Sequence, residues 1–280
     1  MNDLQKKEFE ILKTFIEICE KLNLTYYLVC GSALGAIKYQ GFIPWDDDID
    51  VALPRKDYEI FLSEAQNLLP EYLFLQNYRT EKNYPLLITK LRDSRTTLIE
   101  TDFAHLDIHH GISIDIFPLD GYPQGKIAAA KFEKRKKYFQ RRQFVGVAAR
   151  RGSWWNLRST AIWVLYRLFG YCKDVSRVMQ KYDEFLASFP IEGSQFICNH
   201  ANWQGRLEYA PAEQYGDGAI ATFENLSVRV PAQYDAYLQQ KYGDYTQDPP
   251  KNKQISHHSY TVVDVEMPYT AYTKKHSMSK

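Results

Sequence analysis

No two of the four cysteines in this 280-residue chain stand in a CxxC spacing. Cys19, Cys30, Cys172 and Cys198 therefore do not read as a zinc ribbon or a dithiol redox pair. The pair Cys198 and His200 reads as a buried thiol beside a polar histidine. The opening MNDLQKKEFE lacks the apolar core of a secretory signal, so reduced thiols in a cytoplasmic protein are expected. Net charge is also scarce. The 35 Lys and Arg against 34 Asp and Glu leave +1, and by charge alone this gives no reason to expect a nucleic-acid partner. No internal repeat or low-complexity linker interrupts the chain, and its length fits one domain carrying a helical elaboration. The apolar run from Ile162 to Tyr166 is flanked by Arg158 and Arg167, too interrupted for a membrane span.

What the chain does have is concentrated acid. Asp46, Asp47, Asp48 and Asp50 stand immediately before the apolar run Val51-Ala52-Leu53. Two like charges about 4 Å apart repel by roughly 1 kcal/mol in water and about 4 kcal/mol near a protein surface. A fold that keeps this cluster needs cations. In a strand Asp48 and Asp50 face the same way, about 6.6 Å apart along the chain, and can flank one divalent ion or the metal pair of phosphoryl transfer. A solvated turn fits less well, because Ile49, Val51 and Leu53 alternate with the acids as in a half-buried strand. A calcium loop would want Gly where Val51 stands and Glu where Asp57 stands. A glycosyltransferase holding a nucleotide-sugar metal on Asp48 and Asp50 is the stronger rival.

Upstream, Tyr26 to Cys30 reads as a strand, Gly31-Ser32 as a sharp turn, and Ala33 to Tyr39 as one or two helical turns. Gly31 lets backbone approach a ligand, and Ser32 is expected to cap a helix whose free amides favour phosphate. Farther on, an extended Leu86–Thr97 would put Lys90, Arg92 and Ser94 on one face, a row suited to a phosphate or diphosphate. Solvated charges on an edge strand are the plainer alternative. Asp115 sits in Ile112–Phe117, apolar on both sides. A buried, unpaired carboxylate is costly, so a metal or cationic partner is expected.

Gly31-Ser32 followed by Gly41-Phe42-Ile43-Pro44-Trp45-Asp46-Asp47-Asp48-Ile49-Asp50 resembles the signature of the LicD family, polymerase-beta-like nucleotidyltransferases related to fukutin-related protein. Gly111 to Asp120 resembles its second block, and Tyr242 to Tyr245, Pro249-Pro250 and His257-His258 its C-terminal one. The resemblance covers most of the chain. It implies an α+β fold, a nucleotidyltransferase-like mixed sheet flanked by helices, with a helical insertion. It also implies transfer of a phospho-substituent, most simply phosphocholine, from a CDP-linked donor to a hydroxyl of a cell-surface glycan or its lipid-linked precursor, with CMP released. On that reading Asp48, Asp50 and Asp115 hold Mg²⁺, with Mn²⁺ as the alternative, and Asp115 completes the metal site or takes the acceptor proton. Gly31, Ser32, Lys90, Arg92 and Ser94 hold the donor. Glu224 and Asn225 resemble a recurring family element and read as non-catalytic.

The expected division is a core over residues 1–124 carrying the metal and phosphate site, an insertion over 125–190, and a C-terminal part over 191–280 that completes the core. The helix Asp3–Leu22 and a second from Asp57 to Leu69 flank the core. The insertion is strongly basic: between Gly121 and Ser159 stand eleven Lys or Arg and one acid, Glu133. With Trp154 and Trp155 it can rest on an anionic membrane, the inner face, where a lipid-linked acceptor is displayed; a solvated basic helix followed by an ordinary core helix is the plainer alternative. Besides the glycosyltransferase, a nucleotidyltransferase consuming a nucleoside triphosphate is the other alternative.

Overall fold

The structure, a computed structural model, describes residues 1–82, 84–148, 164, 168, 175–201, 205–256 and 258–272. Trp154, Trp155, Arg158, Arg167, Cys172, His257 and the tail from 273 lie outside the described residues. Elements run in chain order as α1 (Asp3–Lys21), β1 (Tyr27–Leu28), α2 (Cys30–Leu34), a π turn (Gly35–Tyr39), β2 (Asp50–Pro54) and α3 (Arg55–Glu64). Next come β3 (Leu73–Gln76), β4 (Thr89–Asp93), β5 (Thr97–Glu100), β6 (Ile112–Gly121), α4 (Lys126–Ala148) and α5 (Val175–Ala187). The chain then forms β7 (Phe196–Cys198), β8 (Tyr209–Pro211), α6 (Ala212–Tyr215), β9 (Ala219–Phe223), β10 (Leu226–Val230), α7 (Tyr234–Tyr242) and β11 (Tyr260–Asp264).

The class is α+β, built on a mixed sheet in the order β1-β2-β6-β4-β3, with β7 and then β8 added beside β6. β2 and β6 are parallel, and the remaining pairs are antiparallel. β6 is the axis because its isoleucines Ile112, Ile114 and Ile116 are fully buried, while Ser113 and Asp115 occupy the alternate face. α1 starts at a capping box, in which Asn2 accepts from the Gln5 amide and the Gln5 side chain accepts from the Asn2 amide. Its apolar stripe, with Ile11, Leu12, Phe15 and Cys19, is buried in the same core as Leu28, Val51, Leu53 and Ile114. α3 covers the other side of the sheet from Lys90, as the Tyr58 hydroxyl lies 2.6 Å from that of Thr89.

The insertion carries its own small core. Phe132 and Phe139 of α4 meet Met179, Tyr182 and Leu186 of α5. Arg55 fastens this layer to the sheet, with Asp120 of β6 at 2.7 Å and Asp183 of α5 at 2.9 Å. Both acids are almost fully buried, so the guanidinium supplies the charge they would otherwise lack.

Three local expectations are corrected. The first strand is two residues long, because Cys30 turns into α2 with φ +52°. The run Leu86–Thr97 is not one strand: a turn over 94–96 separates β4 from β5 and removes Ser94 from the face of Lys90 and Arg92. The second helix begins at Arg55, directly after Pro54, and ends at Glu64 before a short 3-10 turn.

Candidate active site

Each acid of the loop is positioned by a different part of the fold. Ser32 lies within α2, where Val29 occupies the cap position, so it is not the expected cap. Its Oγ instead accepts a hydrogen bond of 2.8 Å from the Asp50 amide and fixes the first residue of β2. Gly31 backs onto the loop: a Cβ there would stand 2.7 Å from Asp46 Oδ2. From the other side, Gln5 of α1 donates from its side chain to the Asp46 carbonyl at 2.8 Å. Glu224, at φ +55° in the turn between β9 and β10, donates its amide to the Gln40 carbonyl at 2.7 Å and accepts from the Phe42 amide. It is a brace for the loop.

Sheet register then builds a polar row. Asp50 of β2 lies opposite Asp115 of β6, Asp115 opposite Lys90 of β4, and Lys90 opposite Gln76 of β3. Directly opposed residues share a face, so two acids and a cation stand side by side. Lys90 Nζ reaches Asp115 at 2.8 Å and Glu100 at 3.3 Å. Burial opposes the lysine's charge, but Asp115 and Glu100 outweigh it and hold its pKa above the ordinary value. Burial also raises the carboxyl of Asp115, against Lys90. Asp50 is raised well above the carboxylate range by burial and then by Asp48, Asp115 and Asp46.

Among the expected donor-binding residues, Lys90 is the cation at this row. Arg92 is 2% exposed and lies deeper. Its guanidinium bonds the Gln76 side chain, the Gly111 carbonyl at 2.5 Å and Glu100 at 3.3 Å. Ser94 Oγ is 2.9 Å from His109 Nε2. Thus the structure gives Arg92 and Ser94 other protein partners, and of the row Lys90, Arg92 and Ser94 it brings Lys90 to Asp115. Behind Asp50 a second cation, Lys241 of α7, is buried against Glu208. Its charge acts on Asp50 through the protein.

The C-terminal segment closes over the loop. Ser256 Oγ donates to Asp47 at 2.8 Å, and His258 Nε2 lies 3.1 Å from Asp48 Oδ2. Farther out, Asp248 takes Lys38 at 2.6 Å and the Tyr39 hydroxyl at 2.5 Å. The hydrogen bond to Asp48 outweighs burial and pushes His258 up to about 9. Burial, followed by Asp48, pushes Asp46 up to about 7. One further acid belongs here. Glu8 of α1 is 1% exposed, and burial followed by the charges of Asp48, Asp47, Asp115 and Asp46 raises its pKa well above the usual range.

The sequence reasoning missed Glu8 and left His258 unassigned. Glu8 did leave a signal, an acid on the apolar stripe between Leu4 and Leu12. His258 left none beyond its neighbouring histidine.

The donor set fits a hard divalent cation. Asp46, Asp47, Asp48, Asp50, Asp115 and Glu8 act on one another, while Lys90, Lys241 and His258 are the cations placed among them. Carboxylate oxygens in excess suit Mg²⁺ or Mn²⁺. Among the described residues the buried Glu8 Oε2 has no hydrogen-bond partner, a further mark of carboxyls crowded without enough cations. A cleft of about 670 Å³ lined by Glu59, Tyr78, Arg79 and Asp183 includes none of these residues, and its Arg79 is paired with Glu59 and Asp183.

Comparison with known proteins falls on the same residues. A family model described as LicD/FKTN/FKRP, nucleotidyltransferase domain, matches residues 23–150. The lipopolysaccharide cholinephosphotransferase LicD of Haemophilus influenzae is 28% identical over 262 residues, covering 89% of this chain and 92% of that protein. Two uncharacterized rickettsial proteins share shorter stretches. RP689 of Rickettsia prowazekii is 28% identical over 46% of this chain and 45% of its own length, and RT0683 of Rickettsia typhi 35% identical over 27% and 23%. Gly31, Ser32, the acidic loop, Lys90 and Asp115 all lie inside the stretch that matches the LicD/FKTN/FKRP nucleotidyltransferase domain, and the similarity to the Haemophilus protein extends the likeness across most of the chain.

Proposed function

We propose that the chain is a LicD-type phosphotransferase that moves phosphocholine from a CDP-linked donor to a sugar hydroxyl of a lipopolysaccharide-type glycan or its lipid-linked precursor, releasing CMP. The observation that carries this reading is the opposition of Asp50 and Asp115, with Lys90 on Asp115, in a chain related over most of its length to a cholinephosphotransferase.

In this reaction the acceptor oxygen attacks the β-phosphorus of the donor. A new oxygen–phosphorus bond forms as the bond to the CMP oxygen breaks. Asp115 takes the hydroxyl proton, and its raised pKa suits a base that must hold a proton briefly. Lys90 orients that carboxylate and offers positive charge beside the leaving oxygen. Gly31 and Ser32 place backbone near the donor phosphates. A divalent cation held by Asp48 and Asp50 would supply Lewis-acid stabilisation of the phosphoryl charge.

The basic helix gives the reading a location. On α4, Lys131, Lys134, Arg135 and Arg141 are exposed and follow helical spacing along one stripe with Tyr138. Lys136 departs from the expected basic face: it is 4% exposed, and its Nζ lies 3.3 Å from the Tyr209 hydroxyl. No helix among the described residues is long and apolar enough to cross a membrane. The stripe docks the enzyme on an anionic membrane surface, where a lipid-linked acceptor is within reach.

The test is product analysis with CDP-choline, a glycolipid acceptor and Mg²⁺ or Mn²⁺. CMP and a phosphocholine-bearing glycan are expected in equal amounts. Pyrophosphate from CTP with a cytidylylated product would overturn the reading in favour of nucleotidyl transfer, and a nucleoside diphosphate from a nucleotide-sugar in favour of glycosyl transfer.

A further inference from the structure

Two distant parts of the chain meet where the proposed reaction leaves a histidine unused. Donor atoms of Asp46, Asp48 and His258 all lie within 4.8 Å of one another, a spacing at which three ligands can close on one ion. The imidazole is held in place. It lies nearly parallel to the Tyr260 ring, at 7° and 6.1 Å, and Tyr260 opens β11, which is hydrogen-bonded to β5. Two residues before it, Ser256 is bonded to Asp47. Asp46 is held by the Gln5 side chain through its carbonyl.

An independent feature also points to a cation at this place. Glu8 is 1% exposed, its Oε2 has no hydrogen-bond partner among the described residues, and the charges that act on it are Asp48, Asp47, Asp115 and Asp46. A buried carboxyl oxygen without a donor, beside further carboxylates, is stabilised when a cation enters among them.

We propose that His258 joins Asp46 and Asp48 as a ligand of the divalent cation, and that this ion fastens residues 256–260 to the acidic loop. The inference rests on the reading above that a divalent cation works at this site. It adds a nitrogen ligand from the far end of the chain and with it a metal preference. Mg²⁺ keeps to oxygen ligands, whereas an imidazole nitrogen raises affinity for first-row transition ions. The mixed set therefore selects Mn²⁺ over Mg²⁺.

The experiment is Mn²⁺ titration of the full chain with pulsed EPR detection of ¹⁴N coupling, on wild type, His258→Ala and His257→Ala. His258 is more than a third exposed, so its truncation opens no core cavity. Wild type and His257→Ala are expected to show coupling to imidazole nitrogen. His258→Ala should lose it, with a fall in Mn²⁺ affinity of about tenfold or more and a much smaller change for Mg²⁺. Hydrogen exchange over residues 256–264 should slow on adding Mn²⁺ to wild type and not to His258→Ala. Coupling that persists in His258→Ala, or is missing from Mn²⁺-loaded wild type, overturns the ligand assignment. Exchange in wild type that ignores Mn²⁺ overturns the fastening. The two readings fail separately: nitrogen coupling without CMP release would sink the phosphotransfer and leave this ligand standing.

Discussion

Asp50 and Asp115 lie directly opposite one another on the parallel strands β2 and β6. Burial raises the carboxyl of Asp50, and the charges of Asp48, Asp115 and Asp46 raise it further. Asp50→Asn is therefore expected to stabilise the metal-free protein, seen as a higher Tm in EDTA, whereas Asp48→Asn also gives up the ion pair with His258. CMP release should fall at least about a hundredfold in each, the scale of losing one group that stabilises transition-state charge. A variant retaining near wild-type turnover at saturating metal would refute its place in the site.

Lys90 carries the opposite sign of effect. Its removal in Lys90→Met leaves Asp115 without its cation and Glu100 with Arg92 alone. Breaking such a buried pair costs about 3 kcal/mol or more. Urea unfolding should show that loss, while the same substitution in an Asp115→Asn background should cost distinctly less.

The brace on the acidic loop is testable through a glycine. A Cβ added at Gly41 would run into the Glu224 carboxylate. Gly41→Ala should lower activity by displacing Glu224 from the Phe42 amide. Glu224→Ala alone should cost about 1 kcal/mol of stability for the side-chain hydrogen bond from the Phe42 amide that it surrenders. In the double variant the clash is absent, so its activity should exceed that of Gly41→Ala; strictly additive losses would remove Glu224 from this role.

Acid sensitivity has an identifiable source in His200, which packs against Lys136 of the insertion. Burial, then the neighbouring Lys136, holds His200 down to about 3 from its ordinary 6.5. The unfolded chain takes up this proton below about 6.5, whereas the folded chain resists until about 3. Stability from this group is thus present above pH 6.5 and declines as pH falls from there towards 3. Denaturant titrations at pH 7 and pH 5 should show a shallower decline in His200→Gln than in wild type. An identical decline would mean that His200 is protonated in the folded protein.

Membrane docking is expected to follow the exposed stripe of α4 rather than its total charge. Changing Lys131, Lys134, Arg135 and Arg141 to Glu should abolish co-sedimentation with vesicles containing phosphatidylserine at low salt. Wild-type binding should itself weaken as salt rises. Lys136→Met should instead lower stability, because that side chain is buried beside His200 and Tyr209.

The sequence by itself determined the acidic loop, the strand that follows it and the unusual acid in an apolar strand, because these are local patterns of charge and alternation. The packing helix Asp3–Lys21 was legible for the same reason, while the α+β class came with the family resemblance. Alternation tells which face a residue takes but not which strand lies beside it. Pairing of Asp50 with Asp115, and of Asp115 with Lys90, is a matter of sheet register between distant segments, and only the tertiary structure decided it. Lys90 and Arg92 look equivalent in sequence. They part company because Gln76, Glu100 and the Gly111 carbonyl surround Arg92, while Lys90 stands next to Asp115. Ser94 left their face when a turn ended β4, and Ser32 became the anchor of Asp50 once Cys30 had started the helix early. Glu8 and His258 reach the acids from opposite ends of the chain. Their arrival depends on where α1 packs and where β11 pairs, contacts between residues far apart in the chain that no local window contains.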